Sequence, residues 1–297
     1  MAVITEEMKA FFKENGYILI KNAVPKENCE RTVKAIWEFM GKDPENREGW
    51  YTPPAGMDEL WHDQQRGMIP FIHHPSLWDN RQFPRLYQAF AELLEEEKLW
   101  VTVDRVNMKP PKRDDKPELN ASFIHWDTDT TNLTFPLPRP RPLQGVLFLE
   151  DTNIHQGGFR CVPSIYKDFE QWIKNQPADR NSINPDYTGH EVKVIPGEAG
   201  DLLLWDVLVA HGNGENMFER PRLAQYITMF PAKEEMFEER RRLAFESLKN
   251  KTSMHQQSNK FNPFPKDPRG WELTHTPEDP ELTALGRKLL GLDAWNW

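Results

Sequence analysis

Cysteine is nearly missing from this sequence: Cys29 and Cys161 are its only two. Two thiols so far apart make neither a disulfide framework nor a zinc site, and they fit a reducing compartment. Also missing is any apolar run long enough to span a bilayer. The first residues, Met1-Ala2-Val3-Ile4-Thr5-Glu6-Glu7, lack the basic-then-apolar pattern of a secretory leader. The expectation is a cytoplasmic protein with no membrane partner. A clustered basic stretch is absent too. Acidic residues number 46 against 37 lysines and arginines, for a formal charge of −9, and the two signs are interspersed. That argues against nucleic acid as a partner, which calls for a concentrated basic face. A neutral or cationic small molecule remains open. No internal repeat is present.

The 297 residues suit two small domains or one large β-rich one. Residues 6–14 read as a helix stopped by Gly16, 17–20 as a short buried strand, and 26–40 as a second amphipathic helix stopped by Gly41. From 42 to 80 periodicity is lost and Pro, Trp and polar residues dominate, so the segment reads as irregular with short helical turns. Ordered loops of this length are often lids or binding loops. A helix over 83–94 is followed by an alternating strand over 99–108, ended by Pro110-Pro111. Further strands are expected at 122–130, 144–149, 159–162, 192–195, 202–205 and 222–230, with a helix at 166–175. The spaced prolines from Pro136 to Pro142 read as an exposed connection between strands. Beyond Pro231 the chain turns helical again, at 234–250 and 280–292, with a loop at 261–270 between, and Trp295 and Trp297 are expected to anchor the tail.

Short β-runs broken by Gly and Pro and flanked by helices point to a mainly β, α+β fold: a double-stranded β-helix of the jelly-roll or cupin type with N- and C-terminal helices. We expect one catalytic domain over residues 1–297: a helical and lid region (1–98), a jelly-roll core (99–231) and a helical extension (232–297).

Within the 122–130 run stands His125-Trp126-Asp127. On a strand, two-residue spacing points the imidazole and the carboxylate to one face. With a second histidine they would form the two-histidine, one-carboxylate face that leaves positions open on non-haem Fe(II). Roughly one His-x-Asp is expected by chance in a chain of this composition, so the rest of the sequence must decide. His211 meets the requirement, since it follows the apolar run 202–205 and precedes Gly212-Asn213-Gly214, whose small residues allow a ligand to approach closely. His155, His190 and the adjacent His73-His74 have no carboxylate at ligand spacing on a strand. Arg222 opens the next strand, and a guanidinium pairs bidentately with carboxylate, which suits a dicarboxylate cosubstrate.

These residues resemble the Fe(II)/2-oxoglutarate-dependent oxygenases of the phytanoyl-CoA dioxygenase type, a family that includes ectoine hydroxylase. The resemblance runs from Phe11-Phe12-Lys13-Glu14-Asn15-Gly16-Tyr17 to the strand ending near Phe230, and is most specific at His125-Trp126-Asp127, at His211 to Asn216, and at Arg222. It implies that His125, Asp127 and His211 bind Fe(II) and that Arg222 holds the distal carboxylate of 2-oxoglutarate. O2 is the remaining cosubstrate. The segment Arg105-Val106-Asn107-Met108-Lys109-Pro110 resembles the ectoine-hydroxylase strand whose asparagine contacts 2-oxoglutarate, which makes Asn107 a cosubstrate candidate; Asn213 and Thr131 are further ones. One motif departs. Many members carry Val-Pro-Gly-Ser-His-Lys where this chain has Val162-Pro163-Ser164-Ile165-Tyr166-Lys167, so no substrate identity carries over.

The implied reaction is hydroxylation of an unactivated C–H bond of a small molecule, with release of succinate and CO2. Because Asp127 is present, chloride has no vacated position to fill as in related halogenases. Substrate contacts are assigned to Arg160, Trp61, His62 and Gln65, on the lid argument. The protein is expected to act as a monomer or homodimer. Two rival readings are another barrel metalloenzyme without 2-oxoglutarate, and a non-catalytic binding protein.

Overall fold

The computed structural model describes residues 2–57, 60, 64, 67–131, 133–254, 271–276 and 278–297. The strands, in chain order, are β1 (Tyr17–Ile20), β2 (Met68–Ile69), β3 (Leu99–Val101), β4 (Val106–Lys109), β5 (Leu143–Phe148), β6 (Phe159–Cys161), β7 (Lys193–Val194), β8 (Leu202–Asp206), β9 (His211–Asn213), β10 (Arg222–Tyr226) and β11 (Met229–Pro231). The helices are α1 (Glu6–Asn15), α2 (Lys26–Met40), α3 (Pro75–Arg81), α4 (Pro84–Leu94), α5 (Pro163–Lys167), α6 (Phe169–Lys174), α7 (Phe237–Asn250), α8 (Trp271–His275) and α9 (Ala284–Leu290).

All strand pairing is antiparallel, and it forms two sheets. The larger runs β1-β8-β5-β10-β4-β2, with β11 joining β5 to β3; the smaller runs β7-β6-β9. Two facing sheets, with no closed ring of hydrogen bonds among the described residues, are the jelly-roll form of the expected α+β fold.

The large sheet is buried on both faces, and its alternation shows how. Leu147 of β5 and Leu202 and Leu204 of β8 join a core shared with α2, α3 and α4. Their strand neighbours Val146, Phe148, Leu203 and Trp205 join a second core with Phe159 and Cys161 of the small sheet. Helices therefore cover one face, and the small sheet covers the other. Each fully buried leucine contributes about 1.5–3 kcal/mol, so this double burial is the main cohesion of the fold.

Several elements are shorter than their sequence patterns. The expected strand over 122–130 is instead an isolated bridge between His125 and His211, followed by bends. The runs 99–108 and 222–230 each break into two strands. In the first break the Asp104 carboxylate accepts from the Arg105 N–H at 2.7 Å, a local bond that competes with the ladder. Short helical turns are present in the 42–80 segment as expected: α3 forms because Pro75 sits at its first turn and the His74 ring accepts from Ser76 N. The pattern at 166–175 falls across two short helices, α5 and α6. Helix α9 starts later than expected, at its Thr283 cap, and α8 was not anticipated. The expected loop at 261–270 lies outside the described residues. The tail is anchored as expected: Trp295 Nε1 donates to Leu99 O at 3.1 Å, and its ring stacks on Tyr87. Among the described residues no helix is long and apolar enough to cross a membrane.

Candidate metal and cosubstrate site

His211 starts β9, and its backbone exchanges hydrogen bonds with that of His125 at 2.8 and 2.9 Å. That pair of bonds brings two segments distant in sequence together. Gly212 permits it, since a Cβ there would lie 1.9 Å from Phe123 O. The small residue after His211 therefore makes room for the chain's own backbone. Trp126 points away from the neighbouring imidazole and carboxylate, buried with Nε1 donating to Leu208 O at 2.8 Å. The tripeptide thus keeps the expected alternation without forming a strand.

The three candidate ligands converge. Asp127 Oδ1 lies 3.1 Å from His125 Nε2, and Asp127 Oδ2 lies 3.5 Å from His211 Nε2. One donor atom from each residue falls within 4.8 Å of the others, the spacing of a site that could hold a divalent ion. His211 Nδ1 pairs with Val209 O at 2.9 Å, which assigns the proton to Nδ1 and leaves the Nε2 lone pair for a metal. Burial alone would raise the Asp127 pKa, but hydrogen bonding to His125 and His211 outweighs it and holds the carboxyl well below the usual range.

Arg222 is fully buried on β10. Its Nη1 donates to Asn107 Oδ1 and Asn213 Oδ1, both at 3.2 Å, and reaches the Tyr226 hydroxyl at 3.4 Å. Its Nε and Nη2 are buried with no partner. Burying a cation this way is costly unless something completes it, and the Nε–Nη2 edge is the fork that takes both oxygens of a carboxylate. Beside it on the same face, Lys109 is also buried, its Nζ donating to Ala121 O at 2.8 Å and Gly214 O at 2.6 Å. Burial chiefly, then Arg222 and Arg160, brings the Lys109 pKa down to about 7.

A cleft of about 200 Å³ lies over the converging imidazoles and carboxylate. His125, Asp127, His211, Asn213 and Tyr226 line it, together with Met68, Asp104, Arg105, Phe123 and Thr228. Asn107 and Asn213 both accept a hydrogen bond from Arg222. Thr131 does not come to the site: it is exposed, and its hydroxyl and amide bond Asp129 Oδ1 at 2.6 and 2.9 Å. Arg160 is not part of the cleft wall either, because on β6 it is Phe159 that lines the cleft and the next side chain alternates away. Trp61, His62 and Gln65 lie outside the described residues. The sequence reading missed Gln144, Trp205 and Tyr226, which all line the cleft. Two of these carried a signal. Tyr226 shares a strand face with Arg222 four residues before it, and Gln144 is a polar residue in an otherwise apolar strand.

Residues 12–224 match the family model described as phytanoyl-CoA dioxygenase (PhyH). The chain belongs to that family. It is therefore an Fe(II)- and 2-oxoglutarate-dependent oxygenase, with O2 as the other cosubstrate. Among relatives of this PhyH protein, one from Dictyostelium discoideum named as a phytanoyl-CoA dioxygenase is 23% identical over 266 residues, covering 74% of either chain. Ectoine dioxygenase of Bordetella bronchiseptica is 23% identical over 228 residues, covering 71% of this chain and 70% of its own. The crystal structure of the GlcNAc-inducible gene 2 product of Candida albicans superposes with a TM-score of 0.67 at 14% identity, covering 98% of this chain and 77% of that one. That likeness extends the shared fold over nearly the whole chain.

Proposed function

We propose that this oxygenase hydroxylates an unactivated C–H bond of a small molecule, with the chain acting as one catalytic domain. His125, Asp127 and His211 are the residues to hold the iron, and Arg222 is the residue to hold the distal carboxylate of 2-oxoglutarate. The observation that carries this reading is the unpartnered Nε–Nη2 edge of Arg222, buried beside a cleft in which two imidazoles and a carboxylate converge. A carboxylate would satisfy both orphaned donors at once.

When bound, the iron couples oxidative decarboxylation of 2-oxoglutarate to oxidation of the substrate. The chain's own part is to bind, orient and exclude water. The Val209 carbonyl fixes the His211 tautomer, and the two imidazoles keep Asp127 ionised and ready to act as a ligand. Asn107, Asn213 and Tyr226 hold the Arg222 guanidinium by one nitrogen and leave its Nε and Nη2 unpaired. Phe123, 4.8 Å from the His125 ring, and Met68 give the cleft apolar wall, while Asp104 and Arg105 place charge in it. A substrate with both apolar and polar parts suits such a wall.

The test is anaerobic loading with Fe(II) and 2-oxoglutarate, then exposure of a metabolite mixture to O2. Succinate release matched by a product one oxygen heavier is the expected result. A product lighter by two hydrogens would replace hydroxylation with desaturation or ring closure. Calorimetry showing no 2-oxoglutarate binding to the metal-loaded protein would overturn the cosubstrate assignment.

A further inference from the structure

Gln144 is the residue in the cleft whose bonding has a direction. Its Nε2 donates to Asp127 Oδ2 at 2.5 Å, while its Oε1 accepts from Trp205 Nε1 at 3.0 Å. The indole N–H can only donate, so it fixes which end of the amide is oxygen and forces the NH2 toward the carboxylate. The arrangement is built into the sheet. Gln144 on β5 and Trp205 on β8 are direct partners in the antiparallel register, which puts their side chains on the same face. Trp205 is itself buried and held, its ring 5.0 Å from that of His211 and 4.6 Å from that of Phe159. A rigid indole therefore orients an amide, and the amide orients a carboxylate.

We infer that Gln144 is a positioning residue that occupies Asp127 Oδ2 and leaves Oδ1 as the single oxygen offered to the metal. The inference rests on the proposed assignment of Asp127 as a ligand. Its consequence is the number of open positions. An octahedral ion with three protein ligands keeps three positions, enough for a chelating 2-oxo acid and O2. A carboxylate bound through both oxygens would take one of them. Partners behind a metal ligand are worth about 10–100-fold in metal affinity or activity. Glutamate at this position would put a second acceptor against the Asp127 carboxylate, and a shorter amide would not span the distance from the indole.

The test is titration of the metal-free full-length protein with Co(II), read by calorimetry and by the visible spectrum of the bound ion, for wild type, Gln144→Met, Gln144→Glu and Trp205→Phe. Thermal unfolding of each metal-free protein runs alongside. We expect Gln144→Met to weaken Co(II) binding by about tenfold or more and to change the spectrum, because the carboxylate is released to bind through both oxygens. Gln144→Glu should weaken it further, and Trp205→Phe, which keeps the amide but frees its orientation, should fall between wild type and Gln144→Met. Affinity and spectrum within twofold of wild type in a folded Gln144→Met protein would overturn the inference; if that variant does not fold, the same result in Trp205→Phe would. If wild type binds Co(II) but not 2-oxoglutarate, and the variants still lose Co(II) affinity, the cosubstrate reading fails while the role of Gln144 toward the metal stands.

Discussion

Two clusters in this molecule contain the same kinds of side chain, and only one of them is a candidate site. The first is His125, Asp127 and His211 with Arg222. The second is His73 with Glu272 and Arg81. In the second, His73 Nδ1 accepts from Trp78 Nε1 at 3.2 Å, and its Nε2 pairs with Ser247 Oγ at 2.8 Å. The Glu272 carboxylate accepts from the backbone N–H groups of Ile72 and His73 at 2.7 and 2.5 Å. Arg81 donates to Ile72 O and Asp104 O at 2.6 and 2.7 Å, with only Nε left over. Here the chain satisfies its own polar groups, and burial suppresses charge: His73 is driven down to about 3 and Glu272 up to about 8, each chiefly by desolvation. At the first cluster charge is retained on Asp127, and Arg222 keeps its carboxylate-binding edge unfilled. The composition of a cluster does not make it a site; the donors and acceptors it leaves for a ligand do. The two are also mechanically related. The second cluster clasps α8 onto the segment after β2, whose Met68 lines the cleft, and holds the backbone of Asp104, another cleft residue.

The difference can be broken most sharply by removing the carboxylate from each cluster. Asp127→Ala and His211→Ala should each lower O2-dependent succinate formation by at least about a hundredfold, since even partners behind such ligands are worth 10–100-fold. The unfolding midpoint should hold. Glu272→Ala should do the reverse. It orphans two buried N–H donors at about 1–3 kcal/mol each, read as a lower midpoint in urea, with turnover per folded molecule maintained. Loss of activity in Glu272→Ala at unchanged stability would erase the distinction.

Arg222→Ala comes next. It should weaken 2-oxoglutarate binding by about 1.5–3 kcal/mol, seen in calorimetry, with little effect on metal binding.

The smallest effect is the clasp's share of the pH dependence of stability. Glu272 has a raised folded pKa, so the stability it contributes is complete below the unfolded carboxyl value of about 4.3 and is lost as pH rises toward about 8. His73 has a lowered one, so its contribution is complete above about 6.5 and is lost as pH falls toward about 3. The two slopes oppose each other between roughly 4.3 and 6.5 and separate outside that window. In unfolding free energies measured from pH 4 to 9, wild type should lose stability relative to Glu272→Gln as pH rises through about 6.5 to 8. An unchanged decline in that variant would mean that other groups set the slope.

Much of the architecture was legible because it is written at short range. The strand 17–20 and the helix 26–40 were read to the residue, since apolar periodicity and the stops at Gly16 and Gly41 are local signals. The 122–130 run was misread because its apolar residues suit a strand whether or not a neighbour builds a ladder with them; His125 bridges to His211, while the Trp126 and Thr130 N–H groups donate to Ile183 O and Ser182 O without forming one. Asn107 and Asn213 were legible through their motifs. Thr131 and Arg160, the latter assigned on the lid argument, had no signal that says where a side chain points. Gln144 and Trp205 lie 61 positions apart and meet only through the β5–β8 register, so no spacing rule reaches them.

By itself, then, the sequence determined the types of donor available and the family that uses them: two imidazoles and a carboxylate for a metal, and a guanidinium for a carboxylate. Those are properties of single side chains in short motifs. The tertiary structure decided which polar groups remained unspent. Asp127, Glu272, Arg81 and Arg222 are equally polar as residues, but whether each is closed by backbone or left with groups for a ligand depends on long-range strand register and on what packs behind it. Hydrogen bonds saturate: a donor already used by the chain is lost to a ligand, and only the folded molecule shows which have been used.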